Sequence, residues 1–127
     1  MLLQLDLGSE VPIYLQIKTQ IIHGIASGQL KPGETLPSVR QLAADIGINL
    51  HTVNKAYHLL RDAGVVVIHR QRGVVVADIP QPPDHEQFIS SISEKLTQLA
   101  AEAKTFGIEQ EEFVKLAKDT YDMLKPF

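Results

Sequence analysis

The sequence predicts a mainly α fold with a small β element, divided into a front domain at residues 1–78, a proline-rich linker at 79–84 and a short two-helix tail at 85–127. Three observations carry this. Residues 38–60, SVRQLAADIGINLHTVNKAYHLL, hold apolar stripes at helical spacing on either side of Gly47. Residues 65–78, VVVIHRQRGVVVAD, hold two runs of Val and Ile around a tip with two arginines. Residues 85–127 carry two more amphipathic patterns, set off by Pro80, Pro82 and Pro83.

From the amino terminus, Leu3, Leu5 and Leu7 alternate with polar neighbours, which reads as a short strand over residues 2–7. Pro12 suits the first turn of a helix whose mouth is Ser9 or Glu10. Ile13, Ile17, Ile21 and Ile25 form an i, i+4 stripe and Gly28 closes the helix, which serves as a brace. Residues 30–37, LKPGETLP, form a loop with Pro-Gly turn chemistry, anchored by Leu30 and Leu36. Ser38 is an N-cap and Gln41 stands where a capping box puts the answering side chain. Val39, Leu42, Ala43 and Ile46 make the next stripe, and Gly47 ends it by entering the left-handed conformation. Asn49 caps a further helix with the stripe Val53, Ala56, Tyr57 and Leu60. Two helices joined by a Gly-containing turn form a helix-turn-helix.

Once that last stripe is buried, the opposite face carries His51, Asn54, Lys55 and His58, with Thr52 in the first turn. The face is polar without being acidic, and first-turn residues of such a helix are the ones that reach base edges. A solvated helix on any small α domain would look the same. The hairpin that follows separates the two readings: helix, turn, helix and then Arg70 and Arg72 at a β tip make a winged helix-turn-helix, its tip set to reach phosphates or the minor groove.

At 127 residues with 44% apolar content, the chain is long enough for one folded domain with an appendage. No cysteine is present, which removes disulfides and thiolate chemistry. The amino terminus has no basic n-region, and no apolar run approaches the roughly 20 residues of a membrane span, so a cytoplasmic protein without a membrane partner is expected. The net charge of −3 argues against nucleic acid until the chain is divided. Residues 1–78 hold seven Lys and Arg against six Asp and Glu, and residues 79–127 hold five against nine, so the acidity sits in the tail. The five histidines show no H-E-x-x-H spacing, and there is no phosphate loop or Gly-x-Ser-x-Gly elbow. An enzyme is therefore not expected, nor a metal or cofactor.

In the tail, Asp84 caps a helix on which Ile89, Ile92, Leu96, Leu99, Ala103 and Phe106 step by 3, 4, 3, 4 and 3, close to a heptad seam, with Phe88 beside it. Gly107 breaks that helix, and Glu109 or Gln110 opens another with the stripe Phe113, Leu116, Ala117, Tyr121 and Leu124. Two helices of this length cannot hide both stripes on each other, so they need a partner surface. A twofold homodimer is the favoured reading, and folding back on the front domain is the alternative.

PIYLQI at 12–17, GQLKPGETLPSVRQLA at 28–43 and TVNKAYHLLRDAGVV at 52–66 together resemble the amino-terminal winged helix of GntR-family bacterial transcription regulators. The short tail resembles the YtrA-like branch of that family. The resemblance implies a sequence-specific DNA-binding regulator, a repressor reading a palindromic operator as a homodimer. Arg40 matches a family arginine that contacts DNA, and Asn49, Leu50, His51, Thr52 and Asn54 match recognition positions. Leu50 departs from the polar residue many relatives carry there. Ser38, Arg40, Thr52 and Arg70 would take phosphates, His51, Asn54 and Lys55 would discriminate bases, and Gly73 would enter the minor groove with Arg72 beside it. The tip Gln71-Arg72-Gly73-Val74 lacks the first glycine and the threonine common at that position. A protein-binding winged helix that has given up DNA is the alternative, favoured by the acidic total and this altered tip. Any small-molecule effector is unknown, because no residue marks a site for one.

Overall fold

In the computed structural model, which describes residues 3–124, the elements run α1 (Ile13–Ala26), α2 (Val39–Ile46), α3 (Leu50–Asp62), β1 (Val66–His69), β2 (Gly73–Val76), α4 (His85–Thr105) and α5 (Gln110–Met123). They form two units that divide between Pro83 and Asp84. Each apolar stripe of the front domain is buried against another. Ile17 and Ile21 of α1 meet Val53, Ala56, Tyr57 and Leu60 of α3, all at 0% exposure, and α2 adds Leu42 and Ala43. Full burial of side chains of this size contributes about 1.5–3 kcal/mol each, so this cluster is the main source of the unit's stability. Tyr57 is buried whole, and its hydroxyl donates to the Pro37 carbonyl at 2.7 Å. Burial pushes the phenol above its ordinary range.

Local chemistry fixes the helix ends. Ser38 Oγ accepts the Gln41 N–H at 3.1 Å, and Asn49 Oδ1 accepts the His51 N–H at 2.7 Å. Between them Gly47 sits at φ 68°, and the Ile48 N–H reaches back to the Ala43 carbonyl at 3.0 Å. The capping box is only half made: the Gln41 amide nitrogen donates forward to Asp45 Oδ1 at 2.6 Å, a charge-assisted bond that draws the side chain one turn ahead instead of leaving its oxygen turned back to accept the Ser38 N–H. Pro12 is the N-cap of α1, one position earlier than its sequence reading, and Ser9 Oγ accepts the Val11 N–H just outside it.

The strand expected near the amino terminus is not formed over residues 3–7; Leu2 lies outside the described residues. The alternation has another use. Leu3 and Leu5 pack against the core, while the backbones of Gln4 and Asp6 each exchange two hydrogen bonds with side-chain amides, Gln4 with Gln20 and Asp6 with Gln16. Glutamines one helical turn apart thus meet residues two apart on an extended chain.

β1 and β2 pair antiparallel from Val66 opposite Val76 to His69 opposite Gly73. The loop before α2 joins them, which its Pro-Gly composition does not announce. Thr35 bridges Val75, the Leu36 N–H donates to the Val74 carbonyl at 2.8 Å, and the Val76 N–H donates to the Glu34 carbonyl at 2.9 Å. Leu30 and Leu36 are buried there, as the loop reading expects.

The α3–β1 corner is tight. Gly64 follows the helix at φ 81°, its N–H donating to the Arg61 carbonyl, while the Val65 N–H donates to the Leu60 carbonyl. The Ala77 N–H then returns to the Val65 carbonyl at 3.0 Å, and the Gln81 backbone lies against Gly64, so the proline segment through Pro83 belongs to the front unit.

In the second unit, Asp84 Oδ1 accepts the Gln87 N–H at 3.0 Å and starts α4. Gly107, at φ 80°, turns the chain into α5, whose outer side carries the i, i+4 pairs Lys115–Asp119 and Lys118–Asp122. Phe88, Ile89, Ile92, Leu96, Leu99, Phe106, Leu116 and Tyr121 are all exposed, while Phe113 and Leu124 are half-covered. None of the α4 or α5 residues is buried.

Candidate nucleic-acid interface

Helix α3 presents the surface. Four residues on one side of it are sealed in the core, so their opposites are forced outward: His51, Asn54 and Lys55 are exposed, and His58 and Thr52 are half-buried. Because Asn49 spends its side chain on the His51 N–H, it holds the first turn and is not free to read a base through that oxygen. Leu50 is 39% exposed, an apolar side chain at the entrance to the helix and not a core residue.

Lys55 is not a free cation. Its Nζ lies 3.9 Å from the centroid of the Tyr14 ring on α1, a contact that no sequence pattern announced. At this distance the ammonium is held by the ring's negative face.

Helix α2 stands at the start of the same motif with Ser38 engaged as its cap and Arg40 exposed. The wing is tied to this region through the backbone. With residues 33–36 hydrogen-bonded to β2, the hairpin and the approach to α2 form one continuous piece. Arg70, Gln71 and Arg72 are exposed between the strands, and Gly73 takes φ 79° at the first position of β2. Nothing lies within 4 Å of where a Gly73 side chain would begin, so that backbone is open to an approaching surface. Arg72 folds back, its guanidinium donating to the Gly33 carbonyl at 3.3 Å. Among the described residues Arg70 has no such partner.

The unit therefore brings together a capped helix with an outward polar face, an arginine at the start of the preceding helix, and a two-arginine wing tied to the loop before that preceding helix. Such a surface can take phosphates from several sides while the helix face meets base edges. Among the described residues no group of three His, Asp or Glu side chains could hold a metal ion.

Residues 13–76 match the sequence profile described as bacterial regulatory proteins, gntR family. The chain is 36% identical over 118 residues to the HTH-type transcriptional repressor YtrA of Bacillus subtilis, covering 93% of this chain and 91% of that protein. Among solved structures, it is similar to a transcriptional antiterminator from Listeria monocytogenes, with a TM-score of 0.86 and 28% identity over 98% of this chain and 93% of the other. It is also similar to the DNA-binding domain of AraR in complex with operator ORX1, with a TM-score of 0.52 and 30% identity over 59% of this chain and 93% of that one.

Proposed function

The chain belongs to the GntR family of bacterial regulatory proteins and is a DNA-binding transcriptional regulator, and from that premise we propose that it represses transcription as a homodimer on a palindromic operator. The observation that carries the DNA-reading part is α3, whose core face is fully buried and whose outward face carries His51 and Asn54 behind an engaged Asn49 cap. Asn54 can bond an adenine edge bidentately, and His51 reaches bases from the first turn. Ser38, Arg40, Thr52 and Arg70 take phosphates and fix the register, and Gly73 brings the wing backbone and Arg72 to the minor groove. The repressor assignment follows the relative named a transcriptional repressor.

The homodimer rests on the tail. A helix with Ile89, Ile92, Leu96 and Leu99 exposed along one stripe leaves a contiguous apolar face that water penalises, and a second copy supplies a matching stripe. Two reading helices then meet half-sites separated by one DNA turn, about 34 Å, or a small multiple of it. The work is done in the cytoplasm, where a bacterial chromosome lies; among the described residues, no helix is long and apolar enough to cross a membrane.

Selection of duplexes from a random pool by the full-length chain, followed by sequencing, tests the reading. An inverted repeat is the expected product. A selected pool without twofold symmetry would remove the palindrome, and a monomer in light scattering would remove the dimer. Leu96→Asp is expected to give a folded monomer that binds the selected duplex far more weakly than the parent.

A further inference from the structure

Among the described residues the ion pairs are Arg61–Asp62, Lys115–Asp119 and Lys118–Asp122, and none involves Lys55. Its ammonium is engaged instead with Tyr14, at 3.9 Å from the ring centroid. A lysine carries a point charge on a flexible stem, and its direction is ordinarily unfixed. Here a half-buried ring on a neighbouring helix fixes it. Successive residues on a helix diverge by about 100°, so Lys55 leans toward α1 while Asn54 projects from the other flank. Reading guanine requires the ammonium to point at base edges, whereas a phosphate accepts a point charge over a wide range of angles.

We propose that Tyr14 is a positioning residue for DNA binding: its ring holds the Lys55 ammonium at the α1 edge of the recognition face, where Lys55 takes a backbone phosphate and reads no base. The inference rests on the regulator reading above and changes one role within it, since sequence reasoning gave Lys55 to base discrimination. The polar reading surface is thereby narrowed to His51 and Asn54, and Tyr14, on the brace helix, joins the determinants of affinity.

The test is a double-substitution cycle on the full-length chain. Its probes are the duplex that the parent selects from a random pool and a scrambled duplex of equal length, titrated at several salt concentrations. Lys55→Ala is expected to weaken both duplexes by the same factor and to reduce the slope of log affinity against log salt by about 0.9 per subunit, the contribution of one phosphate contact. Tyr14→Leu is expected to weaken both by about threefold, in the range of an exposed cation–π contact, and to add nothing in the Lys55→Ala background. Tyr14→Phe keeps the ring and is expected to match the parent. Thermal unfolding is followed alongside, and if Tyr14→Leu does not fold, Tyr14→Met repeats the cycle with the apolar bulk kept. A Lys55→Ala loss confined to the selected duplex overturns the phosphate role. An equal Tyr14→Leu loss in both backgrounds, or a Tyr14→Phe loss as large as that of Leu, overturns the positioning role. If the parent selects no duplex at all, the regulator reading falls and this inference with it.

Discussion

Gly64→Ala isolates the α3–β1 corner. At φ 81° an L side chain meets its own backbone, and a Cβ built there would stand 1.8 Å from the Gln81 carbonyl oxygen. The conformation alone costs about 1–2 kcal/mol for a non-glycine residue. Forcing backbone apart to admit the methyl adds about 1–3 kcal/mol. Loss of glycine's freedom in the unfolded chain offsets about 0.4–1 kcal/mol. The net expectation is a destabilisation of about 3 kcal/mol. Gly47→Ala is the control, because Gly47 has φ 68° but nothing within 4 Å of its Cβ position, so only the conformational part applies, leaving about 1 kcal/mol. Urea unfolding followed by near-ultraviolet dichroism, to which the buried Tyr57 contributes, reports on the front unit without the helical signal of the tail. If Gly64→Ala costs no more than Gly47→Ala, the close approach of residue 81 is not a constraint on the fold and the argument for a tight corner fails.

Asn54→Ala is expected to lower discrimination between the selected duplex and a mutated one by about 1–3 kcal/mol, whereas Arg72→Ala should weaken all sequences alike and flatten the salt slope; equal losses on every duplex for both would defeat that division of labour. Ser38→Ala removes the cap of α2 and should cost about 1 kcal/mol in the same urea titration, a value near zero meaning that the Gln41 N–H finds water instead. Tyr57 binds its proton more tightly folded than unfolded, so its contribution is intact below the ordinary phenol value of about 10 and is lost as pH rises above it. Tyr57→Phe is therefore expected to unfold at a less steep rate with rising alkalinity than the parent, and identical profiles would show that this phenol does not govern the response.

Much of the architecture was legible because its signals are local. Ser38, Asn49 and Asp84 each accept an N–H two or three residues ahead, and the stripes of α1, α2 and α3 need only their own spacing. What was missed depends on residues far apart in sequence. The pairing of Thr35 with Val75 cannot be read from a Pro-Gly loop, and the hold of Tyr14 on Lys55 joins two helices whose contact neither pattern specifies. Residues 3–7 misled for a related reason: alternation records only that every second side chain faces the core, not what answers the backbone in between. Gln41 misled at short range, because its amide can either accept the cap N–H or donate to a carboxylate one turn ahead, and the charged partner prevailed.

The way residues 4 and 6 are held has a consequence for how this protein keeps to itself. Their backbone groups are satisfied by the amides of Gln16 and Gln20, side chains that end where they bond and extend no ladder. A true strand at that position would have offered an unpaired margin along which a second molecule could zip into fibrils. Clasped by two glutamines, the leading segment gains its order while the backbone groups of residues 4 and 6 are already engaged and offer no ladder for a second molecule to extend.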